Sequence, residues 1–342
     1  MALITFTDIG LYCPQGDFYI DPWRGVERAL ITHAHSDHAR WGSRYYLAHH
    51  DSIPILNARL GSQQYQGIEW GKPLHINDVE VTYFPAGHVI GSSQIRLRYK
   101  GETWVFTGDY KTENDGISGA WEPIACDNFI TESTFGLPIY QWQPQQVLFN
   151  DIQHWVTQNQ AQQVSSILVA YSLGKAQRVL KALEPLRVKV WMHGAIWAMH
   201  EALRQGLPHY FGRNMQVERV TAQTPKEALK GAIVIAPPSA DGTPWMKRFA
   251  PYETGVCSGW MQVRGNIRRR NADKGFAMSD HCDWPSLLQA VKATGASKVF
   301  VTHGFQAAFS RYLNEQGIWS AEVATQYGSE EVTATASDEN VD

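Results

Sequence analysis

Three histidines and an aspartate fall within six residues, His33-Ala34-His35-Ser36-Asp37-His38, directly after the apolar run Ala29-Leu30-Ile31. Imidazole nitrogen and carboxylate oxygen are the ligand set that suits zinc and similar divalent ions. In an extended segment His33 and His35 point the same way, being two residues apart. A helical turn after Ser36 aims Asp37 and His38 at a second point nearby, so one short segment can serve two adjacent metal ions. A polar turn that merely happens to be rich in histidine is the plainer alternative. Four ligand-type residues at this spacing after a strand outweigh it.

Further candidates stand where an apolar strand pattern gives way to a turn. Asp21 follows Phe18-Tyr19-Ile20, and His88 follows the alternating run 79–85 through Ala86-Gly87. Asp109 closes Thr107-Gly108-Asp109, His281 ends the stretch from Gly275, and His303 sits between Thr302 and Gly304 after Val299-Phe300-Val301. Strand ends beside glycine deliver side chains to loops, where sites are built. Asp21, just before Pro22, reads either as a turn residue or as a carboxylate that orients a metal-binding imidazole. Glu132-Ser133-Thr134 ends another strand; Ser133 and Thr134 either close it or hold a phosphate oxygen. His49-His50 reads as a solvated loop outside the site.

The elements that must position these residues are short strands and hairpins up to about residue 140. Composition then shifts. Residues 141–163 are glutamine-rich with a helical pattern, and Ile167–Ser172 is a strand running into a helix at Gly174-Lys175. Val169 stands where a phosphate loop would need its first glycine, which leaves Lys175 at a helix N-terminus, a generic anion site. Further strands at 188–192 and 232–238 predict an α/β unit with parallel strands across roughly 145–270. Arg264, Arg268, Arg269, Arg270 and Lys274 are the densest basic cluster, either a solvated face or a track for a phosphate backbone. From Gly328 the tail is acidic and small, and is expected to be disordered.

With 342 residues, two domains or one domain with a large insertion are expected. Apolar residues at 44% and charged residues at 18% fit a soluble enzyme, and a net charge of −3 neither indicates nor excludes nucleic acid. Cys13, Cys126, Cys257 and Cys282 lie far apart, which argues against a zinc ribbon or a disulfide framework and fits a reducing cytosol. No stretch reads as a signal peptide or a membrane span, so a cytoplasmic location is expected.

The order Asp21, His33-x-His35-x-Asp37-His38, His88, Asp109 resembles the metallo-β-lactamase fold. Glu132-Ser133-Thr134-Phe135, His281 and His303 resemble the three extra motifs of its β-CASP branch, the nucleic-acid-processing hydrolases. Phe18–Arg24, Tyr171–Gln177 and Ser279–Trp284 are most similar to the bacterial ligase-associated DNA exonucleases, and the resemblance spans roughly residues 3–325. It implies an α/β architecture: a four-layer αββα sandwich from residues 1–145 and 271–327, a β-CASP cap inserted at 146–270, and a tail at 328–342.

For the site, the resemblance implies two divalent ions, zinc with manganese as the alternative. His33, His35 and His88 would hold one, Asp37, His38 and His303 the other, and Asp109 would bridge. Such a pair acidifies a water, and the resulting hydroxide attacks phosphorus. Asp37, Asp109, His281 and Glu132 form the implied catalytic set. His281 stabilises charge or protonates the leaving oxygen, Glu132 supports His281, and Asp21 orients a ligand ring. Ser133 and Thr134 would hold a terminal 5′-phosphate; Lys175, Arg264, Arg268, Arg269 and Arg270 would line a cleft for a single strand. The implied activity is a 5′-to-3′ DNA exonuclease in DNA repair, working beside a ligase and a helicase, with no membrane partner. An RNA-processing β-CASP ribonuclease is the alternative. A silent scaffold is disfavoured because no ligand position is lost, and a small-molecule hydrolase is disfavoured by the cap and the basic cluster.

Overall fold

The computed structural model describes residues 3–263 and 272–326. Arg264, Arg268, Arg269, Arg270 and the tail 328–342 lie outside the described residues. The chain divides into two compact units, one of residues up to Gln141 together with those from His281, the other Trp142–Asp280.

The first unit carries two sheets. One follows chain order, β1 (Thr5–Phe6), β2 (Leu11–Cys13), β3 (Phe18–Ile20), β4 (Arg28–Leu30), β5 (Tyr45–His49) and β6 (Tyr65–Ile68). The other is built from β7 (Pro73–Ile76), β8 (Val79–Pro85), β9 (Ser93–Tyr99), β10 (Glu102–Phe106), β11 (Asn128–Ser133), β18 (Lys298–Gly304) and β19 (Ser320–Glu322), in the order β19-β18-β11-β10-β9-β8-β7. Period-two alternation explains their packing. Val79, Val81 and Tyr83 of β8 and Ile95 and Leu97 of β9 turn inward and share one core with Leu11, Phe18, Leu30 and Leu47 of the first sheet. Arg96 and Arg98 turn the other way and pair with Glu80 across the strands. β9 and β10 form a hairpin closed by Lys100 and Gly101, both at positive φ, the pattern of a two-residue turn.

β11 is buried along its whole length because it is covered on both faces. Its second face meets α5 (Trp284–Thr294) and α6 (Gln306–Glu315), whose Leu287, Val291, Phe309 and Leu313 pack on Val105, Phe129, Val299 and Val301. Asp283 caps α5 by accepting from the Ser286 N–H at 3.0 Å, and Gly295 ends it in the left-handed region. The remaining helix of this part, α1 (Ile53–Leu60), sits beside the histidine loop.

The second unit is a parallel sheet in the order β14-β13-β15-β12-β16-β17, from β12 (Ser165–Val169), β13 (Val190–Met192), β14 (Val217–Arg219), β15 (Ile233–Ala236), β16 (Tyr252–Cys257) and β17 (Lys274–Phe276). α2 (Gln145–Ala161) is polar in composition yet buries Phe149, Ile152, Trp155 and Val156 on one face. With α3 (Lys175–Leu183) and α4 (Gly194–Gly206) it supplies the core on one side of the sheet. β17 pairs with β16, and residues 272–280 fall in this unit. Among the described residues no helix is long and apolar enough to cross a membrane.

Candidate metal centre

Seven side chains from four strand ends of the first unit meet, with Asp109 at their middle. Its Oδ2 lies 3.5 Å from His33 Nε2 and 3.7 Å from His88 Nε2; its Oδ1 lies 3.6 Å from His38 Nε2 and 2.8 Å from His303 Nε2. His35 joins through Nδ1, 3.0 Å from His88 Nε2, and Asp37 through Oδ2, 3.7 Å from His38 Nε2. The donor atoms of His33, His35, His88 and Asp109 are mutually within 4.8 Å, and so are those of His38, Asp109 and His303. The sequence reading puts His33, His35 and His88 around one ion and Asp37, His38 and His303 around the other, with Asp109 on both; Asp37 falls outside the second of these groups of donor atoms.

Local backbone explains the convergence. After His35 the chain makes a single turn, closed by the Ala39 N–H donating to the His35 carbonyl at 2.9 Å, and not the helix that the spacing allowed. The His88 loop is shaped by Ser92, whose hydroxyl oxygen accepts from the N–H groups of His88 and Val89. Gly108 sits at φ +56, and a Cβ there would come within 2.7 Å of Thr32. Gly87 at φ +74 would likewise drive a Cβ to 2.3 Å from the Lys111 carbonyl oxygen. Both glycines are there for close approach as well as for φ.

Behind the ligand shell, Asp21 accepts from His38 Nδ1 at 2.7 Å, from the Thr32 N–H at 2.8 Å and from the Thr32 hydroxyl at 2.5 Å. Asp21 holds φ at 42°, a costly region for a residue with a side chain, at a point where its carboxylate is fully buried. His281 Nδ1 lies 2.9 Å from each Glu132 oxygen, and Glu132 also accepts from the N–H groups of Tyr110 and Thr134.

The electrostatics call for positive charge at the centre. Burial would lower the His38 imidazole, but Asp109, Asp37 and Asp21 around it push it up to about 10. Burial would raise the Asp109 carboxyl, but His38, His303 and His281 hold it well below the usual carboxylate range. His33 goes the other way: burial and the neighbouring imidazoles keep it neutral, well below its usual value. Its Nε2 is buried with no hydrogen-bond partner among the described residues. A buried lone pair facing a carboxylate is costly unless a cation sits between them. The donor set therefore fits divalent ions.

Some expected residues are placed elsewhere. The Ser133 hydroxyl donates to the His303 carbonyl oxygen at 2.6 Å, with the Thr302 carbonyl oxygen 3.1 Å away, so it ties β11 to β18 where a phosphate contact had been expected. Thr134 is buried, and its hydroxyl has no hydrogen-bond partner among the described residues. Lys175, expected to line a cleft, is 2% exposed, with Nζ 2.6 Å from Asp280 Oδ1. His49 is buried rather than solvated, stacked on Trp70 at 3.9 Å. Two supports escaped the sequence reading. Thr32 could have been noticed beside His33, but Arg59, whose guanidinium donates to the Ala34 carbonyl at 2.6 Å, comes from α1 with no local signal.

No family model matches the chain. Over 323 residues it is 30% identical to a probable DNA ligase of Opitutus terrae, covering 90% of this chain and 30% of that protein. It is 26% identical over 230 residues to endoribonuclease ysh-1 of Neurospora crassa, covering 56% of this chain and 25% of the relative. Over 195 residues it is 26% identical to cleavage and polyadenylation specificity factor subunit 3 of Dictyostelium discoideum, 46% of this chain and 25% of the relative. The chain thus spans less than a third of the length of these curated relatives. Among solved structures, a protein of unknown function from Enterococcus faecalis V583 superposes with a TM-score of 0.61 at 13% identity, covering 88% of this chain and 80% of that one. At that identity the likeness concerns the fold.

Proposed function

We propose that this chain is a metal-dependent nuclease of the metallo-β-lactamase fold with a β-CASP cap, hydrolysing phosphodiester bonds as a 5′-to-3′ exonuclease on single-stranded DNA ends. The carrying observation is the convergence of four imidazole Nε2 atoms on the two oxygens of Asp109, each within 3.7 Å. His33, His35 and His88 would hold one divalent ion, Asp37, His38 and His303 the other, and Asp109 both. Zinc suits this set, with manganese as the alternative. Bound there, the ions supply Lewis acidity: they acidify water and neutralise charge on the phosphate oxygens.

The chain's own residues do the rest. Asp21 keeps the proton of His38 on Nδ1. Glu132 holds His281 by Nδ1, which orients the ring to deliver a proton to the departing oxygen. Thr134, with its uncommitted hydroxyl, is the candidate contact for a terminal 5′-phosphate. DNA is favoured by the extent of the match to a protein named a probable DNA ligase, 90% of this chain. A ligase and a helicase are the proposed partners in repair. RNA is the second reading, favoured by the relatives named endoribonucleases. Matched DNA and RNA strands, labelled at the 5′ or the 3′ end, separate the two. Mononucleotides released from the labelled 5′ end of DNA are expected; preferential internal cleavage of RNA would replace the first reading by the second.

A further inference from the structure

We propose that Thr32 and Thr302 are positioning residues whose hydroxyl oxygens accept the Nδ1 protons of His33 and His303, leaving Nε2 of each ring for a different half of the metal centre. The inference rests on the reading above that the centre takes two divalent ions. It starts from a count of protons. A threonine hydroxyl has one hydrogen to donate, and its oxygen can otherwise only accept. Thr32 gives its hydrogen to Asp21 Oδ2 at 2.5 Å, a carboxylate oxygen that also receives His38 Nδ1 at 2.7 Å. Toward His33 Nδ1, 3.0 Å away, the Thr32 oxygen is then left to accept. The ring proton of His33 must sit on Nδ1, and Nε2 keeps its lone pair, aimed at Asp109 Oδ2 3.5 Å away. The opposite tautomer would set two acceptors against each other and bury an Nε2–H with no acceptor in hydrogen-bond reach.

A related arrangement stands at the end of β18. Thr302 donates its hydroxyl to the Thr131 carbonyl at 3.1 Å, and its oxygen lies 3.3 Å from His303 Nδ1. His303 Nε2 is 2.8 Å from Asp109 Oδ1, a hydrogen-bonding distance, so without a metal that nitrogen carries a proton; with an ion held there, the ring would keep its proton on Nδ1, facing the Thr302 oxygen. Both threonines are 1% exposed. A β-branched side chain is stiff at χ1, and a Cβ at Gly108 would come within 2.7 Å of the Thr32 hydroxyl, so glycine there leaves this side chain its place. The two relays serve different donor groups: His33 belongs with His35, His88 and Asp109, and His303 with His38 and Asp109. Asp21 joins the halves, holding His38 directly and His33 through Thr32.

The test uses the full chain, zinc alone as the probe, and a competing chelator to measure both binding steps. Wild type is expected to take two zinc ions. Thr32→Val should weaken one step and Thr302→Val the other, each by about 10–100-fold, the usual scale for losing an outer-shell partner. Thr32→Ser and Thr302→Ser, which keep the hydroxyl, should return to within about threefold, and a thermal melt checks that the valine variants fold. Nitrogen-15 spectra of the metal-free imidazoles supply a readout independent of metal. His33 should show one Nδ1–H tautomer in wild type and a mixture in Thr32→Val. Unchanged zinc affinity and unchanged tautomer in both valine variants would overturn the proposal, and so would loss of the same step in both. If wild type takes up no zinc, the reading of the centre fails, and the spectra alone decide the tautomer claim.

Discussion

Asp21 Oδ2 lies 2.7 Å from His38 Nδ1, and both side chains are completely withdrawn from solvent. One carboxylate, at a strained backbone position, thus sets the proton of one candidate ligand directly and of a second through Thr32. Asp21→Ala removes three accepted hydrogen bonds at once and should destabilise the protein by about 3 kcal/mol or more, measured by denaturant unfolding. Asp21→Asn keeps the shape and loses the charge. It should lower metal affinity by about 10–100-fold with a smaller stability loss. Wild-type affinity in Asp21→Asn would show that the carboxylate serves only the fold.

His281 and Glu132 make a pair outside the two ligand sets. His281→Ala should slow turnover by about 10²-fold or more, with metal content unchanged. Glu132→Gln should reproduce much of that loss, because the ring loses the carboxylate at 2.9 Å. Metal analysis beside nuclease kinetics reads both. Loss of a metal equivalent in His281→Ala would make it a ligand instead.

Lys175 pairs with Asp280 at 2.6 Å with both side chains essentially buried. Removing the ammonium takes from the buried Asp280 carboxylate its cation at 2.6 Å, with Arg178 3.9 Å from the other oxygen, so Lys175→Ala should cost about 3 kcal/mol in unfolding experiments. The salt dependence of nucleic-acid binding should stay the same. A flatter salt slope in this variant would return Lys175 to the substrate path.

His200 of α4 is buried against Tyr210, Nδ1 to hydroxyl 3.1 Å, and burial pushes its imidazole down to about 4. In the unfolded chain its value is near 6.5. Between these values the unfolded state binds the proton and the folded state does not. Its contribution is therefore present above about pH 6.5 and is lost as pH falls toward 4, about 3 kcal/mol in all. His200→Gln should be less stable than wild type at neutral pH and lose that deficit on acidification. Parallel stability curves for the two proteins would contradict the assignment.

The ligand residues were legible in the sequence because each sits at the end of a strand whose alternation or apolar run is local information. Spacing and flanking glycine marked His33 to His38, His88, Asp109 and His303 as candidates, the family resemblance grouped them, and apolar runs marked the parallel strands of the second unit. Of the outer supports, Asp21 and Glu132 were named from the sequence, but Thr32, Arg59 and the pairings themselves were not. Thr32 and Asp21 are eleven residues apart, and Arg59 reaches Ala34 across twenty-five; such pairings depend on how the sheets stack. Ser133 and Lys175 show the converse. Hydroxyl and ammonium at strand or helix ends look like phosphate contacts in one dimension, and only three-dimensional packing commits Ser133 to β18 and Lys175 to Asp280. By itself the sequence determined which residue types stand at the strand ends, and hence that divalent metals could be held. Tertiary structure alone decided which donor atoms face Asp109, which protons the rings carry, and which polar groups are already committed, because each depends on contacts between segments far apart in the chain.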